Sequence, residues 1–133
     1  MSDCQKRDKT TRLLEKLLKD RGYVQESRRI LAKEDPEYLE LYHNLWVHVM
    51  RHRCTLPLKF KELIIVAVDA ATAYIEGLKL HIRDALKAGA TKDEILEALE
   101  TASLPGGIHV LSVSLPILED ILRDFNEGKA YDC

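Results

Sequence analysis

The chain has 133 residues, of which 46% are hydrophobic and 32% charged, and such a composition is typical of one globular domain with a buried core. The net charge of −2 gives no reason to expect nucleic acid or an anionic membrane as a partner, and no apolar run approaches the roughly 20 residues that span a bilayer. The polar N-terminus and the odd count of three cysteines favour a cytoplasmic protein without a disulfide framework.

Hydrophobic spacing and cap residues predict three helices in the N-terminal half. Residues 1–9 are charged and are predicted to form a disordered tail, followed by a single domain over residues 10–133. Leu13, Leu14, Leu17 and Leu18 form a short helical stripe that Gly22 ends, and "VQESRRILAKE" favours a further turn or two. Asp35 and Pro36 are typical of an N-cap and a first helical position. The stripe of this third helix is expected to face a core and contains Leu39, Tyr42, Leu45, Trp46, Val49 and Met50.

The C-terminal half also predicts helices. "KFKELIIVAVDAATAY" is apolar nearly all round, so its helix is expected to be central, and its alanine-rich continuation argues against a strand. An amphipathic helix follows through His81 and ends near Gly89, and Thr91 to Glu94 has the form of a capping box. "LPGG" is a break before the last helix, which Pro116 is expected to kink. The fold class is therefore predicted to be all-α.

Two polar residues interrupt apolar helix faces. Glu62 begins the most apolar helix, with Asp69 two turns later on the same face, and His81 lies on the apolar face of the next helix. If these helices are antiparallel neighbours, Glu62 and His81 meet in a partly buried pocket, which would suit general acid–base catalysis. A surface-paired Glu62 with a core histidine is the structural alternative.

The segment "KELIIVAVDAATAYIEGLKLHIRDALKAGATKDEILEALETASLPGG" resembles the carboxymuconolactone decarboxylase family, which includes the alkylhydroperoxidase D proteins. The resemblance covers roughly residues 56–120 and rests on Glu62, His81 and the run "ALKAGATKDEILEAL". It implies an alkylhydroperoxidase D-like helical domain that assembles as trimers or hexamers. It also implies a pocket lined by Glu62 and His81. We expect a small-molecule substrate there, with no cofactor and no metal.

In the peroxidase branch, a C-x-x-C pair stands seven and four positions before the histidine. Those positions are Tyr74 and Gly77 here, which excludes thiol-based peroxide reduction by that motif. The resemblance therefore implies an acid–base lyase or decarboxylase, with Glu62 and His81 as catalytic residues. A family member related to the antioxidant peroxidases but without the cysteine pair, and a non-catalytic binding module, stay open as alternatives. The segment that borders the pocket reads "PGGIH", and this leaves the substrate open.

Four further residues are candidates for substrate binding. Tyr74, His109, Trp46 and His48 are predicted to bind substrate or shape the pocket, although an exposed position at a helix start equally explains His109. His48 and His52 share a helix face with zinc-compatible spacing, but no third ligand is fixed. A metal set of Glu62, His81 and His109 is a minor alternative. Cys54, beside Arg53, is a bystander thiol or a reactive one.

Overall fold

The computed structural model describes residues 1–126, which form two compact units, one of residues 1–53 and one of residues 54–126. Within these residues every regular element is helical, which confirms the predicted all-α class. None of the described helices has both the length and the apolar character that crossing a membrane requires. That both units act as the single domain predicted over residues 10–133 stays a prediction.

The first unit contains three α-helices and a π-helical turn: α1 (Asp3–Arg21), α2 (Glu26–Glu34), α3 (Pro36–Val47) and the turn His48–His52. Helix α1 begins inside the segment predicted as a disordered tail. The reason is a capping box, in which the Ser2 hydroxyl accepts from the Gln5 amide and the Gln5 side chain accepts from the Ser2 amide. Gly22 ends α1 in the left-handed conformation, and the Asp35 side chain caps α3, both as predicted.

The core of the first unit is small and consists of Leu13, Leu17, Ala32 and Leu39. The stripe predicted for α3 is partly wrong, because Tyr42, Leu45 and Val49 are exposed. His43 is buried instead, and its Nε2 lies 2.7 Å from Asp20 Oδ2 on α1. The Asp20 carboxylate on α1 therefore gives buried His43 on α3 a polar partner. Hydrophobic spacing does not predict such a contact.

The second unit contains four helices: α4 (Leu58–Ala71), α5 (Ile75–Lys87), α6 (Lys92–Gly106) and α7 (His109–Asn126). Gly89 has a φ of 94°, and Thr91 and Glu94 form the predicted capping box at the start of α6. Pro116 lies inside α7, which continues across it. Buried apolar residues from all four helices meet in one core, among them Val66, Leu78, Leu99 and Val110.

Helix α4 is only partly enclosed by this unit. Val66 and Ala70 are fully buried, whereas Phe60, Ile64 and Val68 on another face are 44–55% exposed. The prediction that α4 is central is therefore wrong for this second face. Three large apolar side chains at i, i+4 and i+8 form a continuous stripe along the helix. We call these three residues the α4 apolar stripe.

Candidate functional site

Helices α4 and α5 pack as antiparallel neighbours, and this arrangement builds the site. The connection between them is a tight turn of residues 72–74, so the chain reverses direction immediately. Glu62 near the start of α4 consequently faces His81 in the middle of α5, and Asp69 near the end of α4 faces Gly77 near the start of α5. Residues 62 and 69 are two turns apart on α4, and residues 77 and 81 are one turn apart on α5.

The predicted meeting of Glu62 and His81 is confirmed. His81 Nδ1 lies 2.8 Å from Glu62 Oε2, and the side chains are 11% and 5% exposed. Because an ionised carboxylate only accepts hydrogen bonds, it orients the ring with Nδ1–H as the donor. In the neutral imidazole this leaves the Nε2 lone pair for a proton on a ligand. The catalytic role of the pair stays a prediction.

Asp84 extends the site by one turn of α5. Its Oδ2 lies 3.8 Å from His81 Nδ1, and its side chain is 25% exposed. The hydrophobic pattern of α5 does not predict this contact. Glu62, His81 and Asp84 each offer one ligand atom within 4.8 Å of one another, whereas His109 is not in this group. The absence of a metal from the working site stays a prediction.

Asp69 is the least expected member of the site. It is 9% exposed, and its Oδ2 is enclosed and has no hydrogen-bond partner among the described residues. Burial raises the pKa of Asp69 above its usual range, the positive charge of His81 lowers it, and the negative charge of Glu62 raises it. These charge effects place Asp69 within electrostatic reach of the pair. Its spacing to Glu62 is visible in the sequence, but its role is not.

Tyr74 and Gly77 occupy the two positions where the peroxidase branch has cysteines. The Tyr74 ring lies over Gly77, so that a Cβ added at Gly77 would be 2.4 Å from ring carbons and 2.8 Å from Asp69 Oδ2. Real Cβ atoms do not approach other atoms so closely, so a larger residue at position 77 would require the Tyr74 and Asp69 side chains to shift. Tyr74 is 46% exposed and lies beside Asp69, which brings this predicted pocket residue to the site.

The other predicted residues belong to segments of the chain other than α4 and α5. His109 is exposed at the start of α7, where a Cβ on Gly107 would be 3.0 Å from its Nδ1. Trp46 and His48 belong to the first unit, and the Trp46 ring stacks on buried His43 with centroids 5.9 Å apart. The His48 and His52 rings are edge-on at 6.2 Å, and Cys54 is exposed. Their functional roles stay predictions.

Comparison with known proteins gives consistent matches. The Carboxymuconolactone decarboxylase family profile matches residues 36–120. The 4-carboxymuconolactone decarboxylase of Acinetobacter baylyi is 29% identical over 69 residues, which are 52% of this chain and 52% of that protein.

Two crystal structures of Burkholderia xenovorans LB400 proteins share the fold. One, assigned as a carboxymuconolactone decarboxylase, has a TM-score of 0.78 and is 23% identical to this chain. The match covers 94% of this chain and 98% of that chain. The other, assigned as a gamma-carboxymuconolactone decarboxylase subunit, has a TM-score of 0.65 and is 34% identical to this chain. The match covers 88% of this chain and 47% of that chain.

The chain spans about half the length of the curated relative that it matches. The family profile nevertheless covers well over half of this chain, and the matched segment contains both Glu62 and His81. The same segment includes α3 to α6 and most of α7. The chain belongs to the carboxymuconolactone decarboxylase family.

Proposed function

We propose that this protein is an acid–base lyase of the decarboxylase type that acts on a small carboxylated or lactone compound. The observation that carries the proposal is the enclosed pair of Glu62 and His81, with 2.8 Å between Oε2 and Nδ1. An imidazole held by a carboxylate in a largely buried place is suited to proton transfer near neutral pH. Family membership supports the choice of reaction.

Decarboxylation requires two events that this site can serve. When the bond to the carboxylate carbon breaks, its electron pair stays on the substrate and must be delocalised, usually into a conjugated carbonyl group. A proton is then delivered to carbon, and the protonated His81 would supply it from Nε2. Glu62 would hold the ring in place and stabilise its positive charge. Tyr74, whose ring lies beside Gly77 and Asp69, would shape the pocket.

The substrate class follows from the chemistry and from the name of the relative. The Acinetobacter baylyi protein is a 4-carboxymuconolactone decarboxylase, so unsaturated lactones that carry a carboxylate are the first compounds to test. Simple keto acids are the second group, because their carbonyl group can also accept the electron pair. His109, Trp46 and His48 stay predicted substrate-binding residues.

We expect the working form to be a homo-oligomer, a trimer or hexamer. The support is the α4 apolar stripe, whose three side chains remain 44–55% exposed in one chain. Monomeric proteins rarely leave continuous apolar patches uncovered. The stripe lies on the helix that carries Glu62 and Asp69, but on another face of that helix.

The test is CO2 release and loss of substrate absorbance with the purified protein and a panel of carboxylated lactones and keto acids. His81→Ala should lower kcat about 10²- to 10⁴-fold, the range for loss of a general acid. Glu62→Gln keeps an acceptor for Nδ1–H but removes the charge. It should lower kcat about 10- to 100-fold, which corresponds to about 1.5–3 kcal/mol for a hydrogen bond to a charged group.

The matched control is Glu97→Gln on α6, whose side chain is exposed. It should keep wild-type turnover. Each variant is checked by circular dichroism and light scattering, so that a folding defect is not read as a chemical one. Turnover that survives His81→Ala at the wild-type rate would refute the acid–base assignment.

A further inference from the structure

Two carboxylates, from different helices, lie beside the same ring nitrogen of His81. Glu62 on α4 holds this Nδ1 with its Oε2 at 2.8 Å. Asp84 on α5 brings its Oδ2 to 3.8 Å from the same nitrogen, which is too long for a hydrogen bond. The three side chains each offer one ligand atom, and these atoms lie within 4.8 Å of one another. Imidazole nitrogen and carboxylate oxygen are both zinc ligands in proteins, so the group has the composition of a cation site.

The spacing of the three ligand atoms suits an ion held between them. Three atoms within 4.8 Å of one another fit inside a circle of radius about 2.8 Å, which is 4.8 Å divided by √3, whereas zinc bonds to such ligands are about 2.0–2.2 Å long. Each atom therefore has to move by less than about 1 Å to bind one common ion. The Asp84 side chain is 25% exposed, whereas those of Glu62 and His81 are 5% and 11% exposed, so Asp84 forms the side of the group that is more open to solvent.

The charge of this group also favours a cation. Two ionised carboxylates exceed by one the single positive charge that the imidazole can carry. Because Glu62 and His81 are largely enclosed, solvent screens these charges less than it would on the surface. A divalent ion bound to a neutral imidazole and two carboxylates leaves no net charge in the group. An ion of this charge therefore matches the donor set better than a proton alone does.

We propose that Glu62, His81 and Asp84 bind a divalent transition-metal ion of the Zn²⁺ type, and that this ion inhibits the metal-free acid–base site. The cation site goes beyond the proposed decarboxylase function, whereas the inhibition rests on that function. The ion would bind the lone pair of Nδ1 and one oxygen from each carboxylate. A mixed set with an imidazole suits Zn²⁺, whereas Mg²⁺ and Ca²⁺ prefer oxygen ligands alone.

Inhibition follows from the two nitrogens of the His81 ring. In the proposed reaction Nδ1–H donates to Glu62, and Nε2 carries the proton that reaches carbon. With an ion on Nδ1, the neutral ring keeps its single proton on Nε2 and has no lone pair left to accept another. A neutral metal-bound ring also gives up that proton less readily than a doubly protonated imidazolium does. The occupied site would therefore not cycle protons, and removal of the ion would restore turnover.

The first experiment does not require turnover. The full chain is treated with a chelator, dialysed and titrated with Zn²⁺ by calorimetry. Asp84→Asn and His81→Ala should each weaken the tightest zinc site at least about tenfold, because even a residue that only supports a metal ligand contributes about 10- to 100-fold. Asp120→Asn, an exposed aspartate on α7, is the matched control and should bind zinc as the wild type does. Ca²⁺ and Mg²⁺ should bind the wild type at least about tenfold more weakly than Zn²⁺.

The histidines of the π-helical turn are the competing place for zinc on this chain. His48 and His52 have zinc-compatible spacing, and their rings are edge-on with centroids 6.2 Å apart. His52→Ala should leave the tightest zinc site unchanged if that site is the one at His81. Co²⁺ gives a second reading, because its visible absorption bands depend on its ligands. The wild-type bands should change in Asp84→Asn and His81→Ala but not in His52→Ala, with circular dichroism confirming that each variant is folded.

The second experiment measures inhibition with a substrate found in the lactone and keto acid panel. Saturating Zn²⁺ should lower wild-type kcat about 10²-fold or more, the range for loss of a general acid, and a chelator should restore it. Each variant is compared with its own zinc-free rate. The zinc concentration for half inhibition should rise at least about tenfold in Asp84→Asn, in step with its weaker binding, and stay unchanged in Asp120→Asn.

The outcomes separate the cation site from the proposed function. Wild-type zinc affinity in Asp84→Asn or His81→Ala, a loss confined to His52→Ala, or equal affinity for Ca²⁺ would each overturn the site. Turnover that bound zinc leaves unchanged or increases would overturn the inhibition. If zinc binds as expected but no compound in the panel is decarboxylated, the proposed function fails and the cation site stands. If turnover depends on His81 but zinc does not bind, the cation site fails and the proposed function stands.

Discussion

Replacing Ala73 by glycine should stabilise the protein, because the turn that connects α4 and α5 contains a strained residue. Helix α4 ends in a Schellman motif, in which the Tyr74 amide donates to the Asp69 carbonyl at 2.8 Å and the Ala73 amide donates to the Ala70 carbonyl at 3.2 Å. Ala73 takes the left-handed position with a φ of 55°, where glycine is usual. The motif places Tyr74 and Asp69 side by side at the site.

The expected gain is a difference between two effects. An L-residue in the left-handed conformation costs about 1–2 kcal/mol, which glycine avoids. Glycine also makes the unfolded chain more flexible, which costs about 0.4–1 kcal/mol. Ala73 is exposed, so little packing is lost with its methyl group. The free energy of unfolding should therefore rise by about 0.5–1 kcal/mol.

Urea denaturation at fixed protein concentration, followed by circular dichroism, measures this gain. The matched control is Ala71→Gly, two residues earlier on α4, where the backbone is right-handed and also exposed. The control should lose roughly 0.5–1 kcal/mol, the usual effect of glycine inside a helix. An Ala73→Gly protein that is no more stable than the wild type would refute the assignment of strain to this turn.

The remaining predictions concern the site and its surroundings. Glu62→Ala leaves buried His81 without its acceptor and should lower the free energy of unfolding by about 1–3 kcal/mol in urea titrations; an unchanged value would contradict a buried pair. The raised pKa of Asp69 gives a contribution to stability that is complete below the unfolded-state pKa of about 3.9 and is lost as pH rises through the folded-state pKa. Asp69→Asn should thus gain stability relative to wild type as pH rises through this window and then level off, whereas a pH-independent difference would argue against the shift. Ile64→Glu and Val68→Glu place charges on the α4 apolar stripe and should dissociate the oligomer in light scattering without unfolding the chain; wild-type mass in both would exclude this face from the interface.

Local signals in the sequence predict much of the fold. Gly22, Asp35, Gly89 and the Thr91 capping box mark helix ends because each acts within a few residues, and the structure has a helix end at each of them. Periodicity does not predict the helix start at Asp3, because a polar segment with little apolar content gives no periodic signal. The local signal at this start is the capping box of Ser2 and Gln5.

The site was predictable only in part, for a physical reason. The pairing of Glu62 with His81 follows from two polar residues on apolar faces of adjacent helices, once those helices are taken as antiparallel. The contact of Asp84 with His81 could not be predicted, because the exact rotation of α5 decides whether the carboxylate reaches the ring. The exposure of α3 and α4 was also missed, since hydrophobic spacing shows that a face is apolar but not which surface covers it.

The charges around His81 constrain how the site can work. Glu62 and Asp84 lie 2.8 Å and 3.8 Å from His81 Nδ1, and the charges of Glu62 and His81 both act on Asp69. A carboxylated substrate of the proposed kind would add a fourth carboxyl group. Four ionised groups beside one cation would repel each other in a place that solvent screens poorly. Protonation of Asp69, whose pKa burial raises, removes one of these charges. Release of CO2 from such a substrate would remove another.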